Sequence, residues 1–201
     1  MAGKSNQQYF INTTFIKSVF DLASLPIDNC QEIAFAGRSN CGKSSIINAV
    51  TQKIKLAITS KTPGRTQSIN YFQISPPNFL VDLPGYGYAK VAIQTKKKWS
   101  QLIEQYLSTR HSLIGMILIM DIRHPLTDFD RQMLFFSSAN NLPLYLILNK
   151  ADKLTKNQIN ATVLKVAQEL KDLPNILIQP CSAVTLVGIK ELQDQIINWF
   201  N

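Results

Sequence analysis

GRSNCGKSS, residues 37–45, joins two apolar runs, EIAFA at 32–36 and IINAV at 46–50. The first run is short and apolar throughout, as a strand covered on both faces is. The second continues from Lys43 with helical spacing. A turn carrying two glycines, a lysine and hydroxyls between a strand and a helix matches GxxxxGK[ST] in the context that this pattern needs. Gly37 and Gly42 permit backbone angles and close approach denied to other residues. Consecutive N–H groups along Arg38, Ser39, Asn40, Cys41, Gly42, Lys43, Ser44 and Ser45 can then point at phosphate oxygens near the positive end of a helix. Lys43 would reach the β and γ phosphates, and the Ser44 hydroxyl would ligate Mg²⁺. Taken alone, the same string is also compatible with a glycine-rich turn and a solvated lysine.

Outward from this turn the chain alternates. Strand-like runs are EIAFA (32–36), NYFQI (70–74), FLVDL (79–83), IGMILIMDI (114–122), LYLILN (144–149) and NILIQP (175–180). Most are apolar throughout, which fits a largely parallel sheet covered on both faces. Helix-period segments occupy 43–50, 95–107, 129–140, 156–170 and 186–200. The expected fold is three-layer α/β with a six-stranded, mostly parallel sheet and helices on both faces. In NYFQISPPNFLVDL the connection is too short for a parallel crossover, so one strand should run antiparallel. The polar loop 51–69 has a length usually reserved for functional or mobile segments.

With 201 residues, 45% of them hydrophobic and 17% charged, the chain can bury one substantial core. Pro and Gly fall singly at element ends, so no linker divides it. Twenty-one basic against thirteen acidic residues leave a formal charge of +8, suited to an anionic partner, nucleic acid before membrane. No stretch reaches the roughly 18 unbroken apolar residues of a membrane span. The opening MAGKSNQQYF lacks the layout of a secretory signal, so the expected location is the cytoplasm without stable membrane insertion. Cys30, Cys41 and Cys181 are odd in number and far apart, and indicate neither a disulfide framework nor a zinc site.

Two further strings follow apolar strands. VDLPG (81–85) puts Asp82 at a strand end, on the metal side of a nucleotide, and after Leu83 and Pro84 brings Gly85, whose N–H could meet a γ phosphate. LILNKAD (146–152) supplies Asn149, Lys150, Ala151 and Asp152. A carboxylate at Asp152 can accept from both guanine N1–H and the exocyclic amino group, a charge-assisted bidentate pair that adenine cannot offer. Leaving it unpaired would support discrimination on the order of 10⁴ or more. The Lys150 stem can cover the base, and Asn149 can tie this loop to the phosphate loop. CSA at 181–183 ends the last strand, where Cys181, Ser182 and Ala183 would offer N–H groups to guanine O6.

GRSNCGKSS, KTPGRTQSINYF, DLPGYGYAKV, MDIRHPLTDFD and NKADKL together resemble the EngB family of bacterial ribosome-biogenesis GTPases, within the translation-factor-related P-loop GTPases. The resemblance runs from about Thr13 nearly to the end, and TPGRTQ and DLPGYGYAKV are not general GTPase strings. It implies Mg²⁺ and GTP or GDP as ligands, a role in large ribosomal subunit assembly and a link to cell division and septum formation; the overall basic charge favours ribosomal RNA as partner, and a monomer is expected. A GTP-binding domain at 32–201 with an N-terminal extension, 1–31, packed on it is expected. Carried over by motif, Thr66 is the threonine expected on Mg²⁺ with GTP, Thr62 being its competitor, and Gly64, Arg65, Thr66, Gln67 and Ser68 line the nucleotide. Lys43, Thr66 and Gly85 carry the catalytic roles. The family more often has Ala at position 41 and Thr at position 149.

In many GTPases a glutamine after the Asp-x-x-Gly motif orients the attacking water; here Tyr86 follows, and a phenol is a poor substitute for that amide. Slow intrinsic hydrolysis and an activating partner are therefore expected. Asn40, in GxxNxGKS, resembles the asparagine that holds K⁺ in some GTPases, or else serves the loop alone. Cys41 sits near a helix start, a setting that can lower a thiol pKa, or is simply a small filler. Lys96, Lys97 and Lys98 beside Trp99, with Tyr86 and Tyr88 near in sequence, form either an RNA-binding cluster or a solvated helix face. Arg123 and His124 receive no catalytic role. An RNA-binding module stabilised by nucleotide, and an ATP-dependent kinase, are the competing functions.

Overall fold

The computed structural model describes residues 6–58, 68–86, 93–173 and 176–201; of residues 6, 7 and 93–100 only the backbone is described. A short helix α1 (Asn6–Phe10) leads into strand β1 (Thr14–Val19), and β2 (Gln31–Gly37) follows. Helix α2 (Lys43–Thr51) then precedes the hairpin of β3 (Ile69–Ser75) and β4 (Asn78–Asp82). The rest alternates: α3 (Ile93–Thr109), β5 (Leu113–Asp121), α4 (Asp128–Ala139), β6 (Leu144–Asn149), α5 (Lys156–Glu169), β7 (Ile176–Pro180) and α6 (Ile189–Phe200).

The strands form one sheet in the order β1-β3-β4-β2-β5-β6-β7. β4, β2, β5, β6 and β7 are parallel, and β3 runs against both of its neighbours. Six strands were expected and seven are present among the described residues. The additional one, β1, extends the edge by pairing Val19 with Ile69 and Thr14 with Gln73. Its sequence TFIKSV escapes an apolar-run criterion because most of it is exposed and Lys17 and Ser18 interrupt it. The Thr, Phe, Ile and Val in it are the signal that was available.

Alternate residues along the strands feed two separate cores, as period-two geometry requires. Ala34, Ala36, Val81, Met116, Leu118, Leu146 and Leu148 face a core closed by Ile103 and Tyr106 of α3, Leu134 of α4 and Val166 of α5. Ile33, Phe35, Leu80, Ile117, Ile119 and Ile147 face the other, closed by Phe10 of α1, Ile46, Ile47 and Val50 of α2, and Leu192 and Ile196 of α6. The three layers are therefore α1, α2 and α6, then the sheet, then α3, α4 and α5. β2 is central, flanked by β4 and β5, so its carboxyl end is the place where an open parallel sheet presents its crevice.

Candidate functional site

At that carboxyl end Gly37 closes β2 and the chain turns through residues 38–42 into α2. A Cβ on Gly37 would lie 2.6 Å from the Ile119 carbonyl oxygen and 2.7 Å from Cys41 Sγ. Gly42 has φ +96°, and a Cβ there would lie 2.3 Å from Asn149 Nδ2. Both positions admit only glycine without rearrangement. The first bond within α2 runs from the Ile46 N–H to the Gly42 carbonyl at 2.9 Å, so the N–H groups of 43–45 emerge at the helix start without an intrahelical partner. Two other N–H groups of the loop are engaged: Ser39 donates to the Tyr86 carbonyl at 2.8 Å and Cys41 to the Arg38 carbonyl at 3.1 Å. Arg38 and Asn40 are exposed, Ser39 and Ser44 half-buried, and Ser45 points to solvent from α2.

β4 delivers Asp82, 3% exposed, whose carboxylate pairs with the buried Lys43 ammonium. The Leu83 N–H donates to the Phe35 carbonyl at 3.0 Å, which lays 83–86 beside the turn, with Pro84 and Gly85 buried. One hydroxyl, Ser44, following in the chain the lysine that pairs with one enclosed carboxylate, is a donor set that suits Mg²⁺, which takes few protein oxygens and completes its shell with phosphate and water. Among the described residues no group of three or more His, Cys, Asp or Glu side chains could hold a metal by itself. Thr66, Gly64, Arg65 and Gln67 lie outside the described residues, as do Thr62 and Tyr88. Ser68, the last of that expected stretch, is buried and donates to Asn70 Oδ1 at 3.0 Å.

β6 and β7 bring in the third and fourth strings. Asn149, 2% exposed, donates from Nδ2 to the Cys41 carbonyl at 2.9 Å, and Lys150 donates from Nζ to the Asn40 carbonyl at 2.6 Å. These two bonds stitch NKAD to the phosphate loop. Asn40 and Lys150 both adopt left-handed backbone, φ 64° and 67°, so that these carbonyls and side chains meet. Asp152 Oδ1 accepts from Ser182 Oγ at 2.7 Å, while Oδ2 lies 3.0 Å from Lys153 Nζ. The hydroxyl bond first and the lysine second hold this carboxyl below its ordinary pKa. Ser182 Oγ in turn accepts the N–H groups of Val184 and Thr185 at 3.2 and 3.1 Å, leaving its single hydrogen for Asp152. The Cys181 and Ser182 N–H groups, expected on guanine O6, are committed to the carbonyls of Leu148 (2.8 Å) and Val187 (2.9 Å). The sheet ladder and the loop closure take them. The Ala183 N–H, at a long 3.4 Å from Asn149 Oδ1, is the one of the three still able to turn to a base, and Ala151 donates to the Cys181 carbonyl at 3.0 Å.

Two single residues take definite places. Burial, only partly countered by Lys43, pushes the Cys41 thiol up to about 12, so the helix start does not activate it and it is a filler. Tyr86, 2% exposed, is engaged with α4: its hydroxyl donates to Asp130 Oδ1 at 2.6 Å and its ring lies 5.8 Å from that of Phe129. Asp130 Oδ2 accepts from the Thr127 N–H and hydroxyl at 2.9 and 2.7 Å, capping α4. Arg123 pairs with Asp121 at 2.7 Å and His124 is exposed. The side chains of Lys96, Lys97, Lys98 and Trp99 fall outside what is described. Asp121 and Asp130, both within MDIRHPLTDFD, carry contacts that the string itself does not announce.

A family model described as 50S ribosome-binding GTPase matches residues 32–150. A probable GTP-binding protein EngB from Aeromonas hydrophila is 48% identical over 192 residues, 95% of this chain and 89% of the relative. Another from Thiobacillus denitrificans is 50% identical over 185 residues, 92% of this chain and 89% of the relative. Among solved structures, a crystal structure of a probable GTP-binding protein engB aligns at TM-score 0.68 and 21% identity, covering 84% of this chain and 97% of that one. Era in complex with MgGDPNP and a segment of 16S ribosomal RNA aligns at TM-score 0.66 and 20% identity, covering 85% and 56%. At such identities the structural likeness speaks for the fold alone.

Proposed function

The chain belongs to the EngB family of GTP-binding proteins and is a GTPase, and from that premise we propose that it is a slow switch in large ribosomal subunit assembly, acting as a cytoplasmic monomer, with any effect on division and septum formation following from ribosome supply. Residues 32–201 act as the GTP-binding domain and 1–31 as an extension packed on it; the pairing of β1 with β3 supports this. Gly37 to Ser45 hold the phosphates, Lys43 neutralising the β and γ oxygens once it leaves Asp82. Ser44, joined by Thr66 in the GTP state, would hold Mg²⁺, which would supply charge neutralisation at the phosphates. Asp152, aimed by Ser182, selects guanine; Lys150 covers the base, and the Ala183 N–H serves O6. Gly64 to Ser68 and Gly85 respond to the γ phosphate. K⁺ at Asn40 is a subsidiary proposal, which equal hydrolysis rates in KCl and NaCl would remove.

The observation that carries the slow-switch reading is Tyr86. The position that would orient water is occupied by a buried phenol engaged with α4, so the site needs a group from a partner. The formal charge of +8 and the family's description favour a ribosomal particle. The test is sedimentation with ribosomal subunits under GTP, GDP and a non-hydrolysable analogue, with hydrolysis followed in parallel. Nucleotide-dependent association with the large subunit and faster turnover there are expected. Tens of turnovers per second without ribosomes, or association indifferent to nucleotide, would overturn the proposal.

A further inference from the structure

Asp121 is the last residue of β5 and pairs in register with Asn149, the Ile122 N–H donating to the Asn149 carbonyl at 2.9 Å. Its carboxylate is thus carried to the root of the NKAD loop by two adjacent strands. Oδ2 lies 2.9 Å from Lys150 Nζ, the same ammonium that donates to the Asn40 carbonyl. On its other side Arg123 grips both oxygens, Nε to Oδ1 at 2.9 Å and Nη2 to Oδ2 at 2.7 Å, and the Arg123 N–H adds a bond to Oδ1 at 3.1 Å. Although burial works to raise it, the hydrogen bonds from Arg123 and Lys150 hold this carboxyl well below the ordinary range.

We propose that Asp121 is a positioning residue for nucleotide binding, fixing the Lys150 ammonium against the phosphate loop so that the lysine stem lies as a ready-made platform for the base. A neutral carbonyl is a weak anchor for an ammonium. The lysine and its two partners border a cavity of about 250 Å³, also lined by Cys41 and His124, into which an unheld side chain would swing. A lysine free to sample its rotamers must surrender that entropy when the base arrives; one already fixed does not. Arg123 and Lys150 share Oδ2, the arginine being the more exposed of the two, 43% against 27%, and Arg123 holds Oδ1 as well.

The sign of the effect separates this role from a purely electrostatic one. Asp121 is a negative charge near a site for polyanions. If its field were all that mattered, Asp121→Asn would tighten binding, and GTP, with the larger charge, would gain more than GDP. Positioning predicts the reverse: GDP and GTP both weaken, by a common factor on the order of tenfold, since the base platform is the same for both. The double variant Asp121→Asn with Lys150→Met should bind no worse than Lys150→Met alone, because Asp121 acts through the lysine. Calorimetric titration of the full chain with each nucleotide reads all of these. Tighter binding, a loss differing strongly between GDP and GTP, or additive losses in the double variant would overturn the inference. Should Asp121→Asn fail to fold, Asp121→Glu keeps the charge but displaces it by one methylene: equal weakening of both nucleotides supports positioning, and unchanged affinity defeats it. The inference rests on the proposed guanine site. Wild-type protein that binds neither nucleotide defeats that site, whereas wild-type binding matched by Asp121→Asn defeats only this step.

Discussion

Strand β2 has a charged cluster at each of its ends, and the two are built to opposite purposes. At the amino end Glu32 is 0% exposed and every oxygen is spoken for. Oε1 accepts Arg110 Nε at 2.9 Å and Nη2 at 2.5 Å, and Oε2 accepts the hydroxyls of Tyr106 at 2.7 Å and Tyr71 at 3.2 Å. Asp28 beside it takes the N–H groups of His111 and Ser112 at 3.0 and 2.6 Å. At the carboxyl end Lys43, Asp82, Lys150 and Asp152 have partners too, yet each keeps bonding capacity, and the helix-start N–H groups of 43–45 have no intrahelical acceptor. A charge that is fully satisfied by its own chain can only hold the fold; one that is partly satisfied can also receive a ligand. The ends differ because the carboxyl ends of parallel strands open into loops, while here the amino ends are closed by α3's last turn and the segment before β2.

The sharpest way to break this contrast is at the carboxyl end. Asp152→Ala should reduce the preference for GDP over ADP by on the order of 10³–10⁴ in competition titration, with the nucleotide-free melting temperature nearly unchanged. A preserved preference would mean that the carboxylate is not what reads the purine. At the amino end Glu32→Ala leaves the Arg110 guanidinium buried without its main counter-charge, and should cost about 3–5 kcal/mol in denaturant unfolding. GDP affinity of the folded variant should hold, the ends being separated by the length of β2. Lost affinity in folded Glu32→Ala protein would show that the two clusters are coupled and the division of labour false.

That contrast also explains which features are legible in the sequence. The four strings of the carboxyl end are local: each sits on a few consecutive residues, and its chemistry follows from residue type and spacing, so phosphate loop, Asp82, NKAD and CSA were all visible, as was the antiparallel β3. The amino-end cluster has no local signature. Glu32 and Arg110 are 78 positions apart, and in sequence Glu32 was one polar residue at the head of a strand. Asp121 and Asp130 were hidden likewise, since their meaning lies in which neighbours the sheet register and the α4 cap bring to them. Strand β1 was missed because an exposed edge strand need not be apolar. The occupied N–H groups of Cys181 and Ser182 could not be foreseen, because backbone bonding depends on the ladder rather than on side-chain type.

A smaller effect sharpens the boundary within the carboxyl end itself. Tyr86→Phe removes one donor from the buried Asp130 carboxylate, a loss of about 1–3 kcal/mol in stability. Because the hydroxyl is turned to α4, hydrolysis without ribosomes should be unaffected. A drop in that rate would put the phenol among the reacting groups and move Tyr86 to the ligand-receiving side of the contrast.

The smallest expected effect concerns Cys41, a carboxyl-end residue that behaves like the amino end, being enclosed and finished. Its folded pKa, raised to about 12, lies above the ordinary thiol value of about 8.5, so folding favours the neutral thiol. Its contribution is therefore fully present below about 8.5 and is lost as pH rises towards 12, where the unfolded chain ionises and the folded one does not. Cys41→Ala should flatten part of the alkaline fall in stability between those limits and leave neutral pH almost unaltered. Iodoacetamide at neutral pH should modify half-buried Cys30 ahead of Cys41, with or without GDP. Rapid labelling of Cys41 that GDP blocks would mean that the phosphate loop opens enough to ionise its thiol, and the enclosed filler would then belong with the groups that answer to nucleotide.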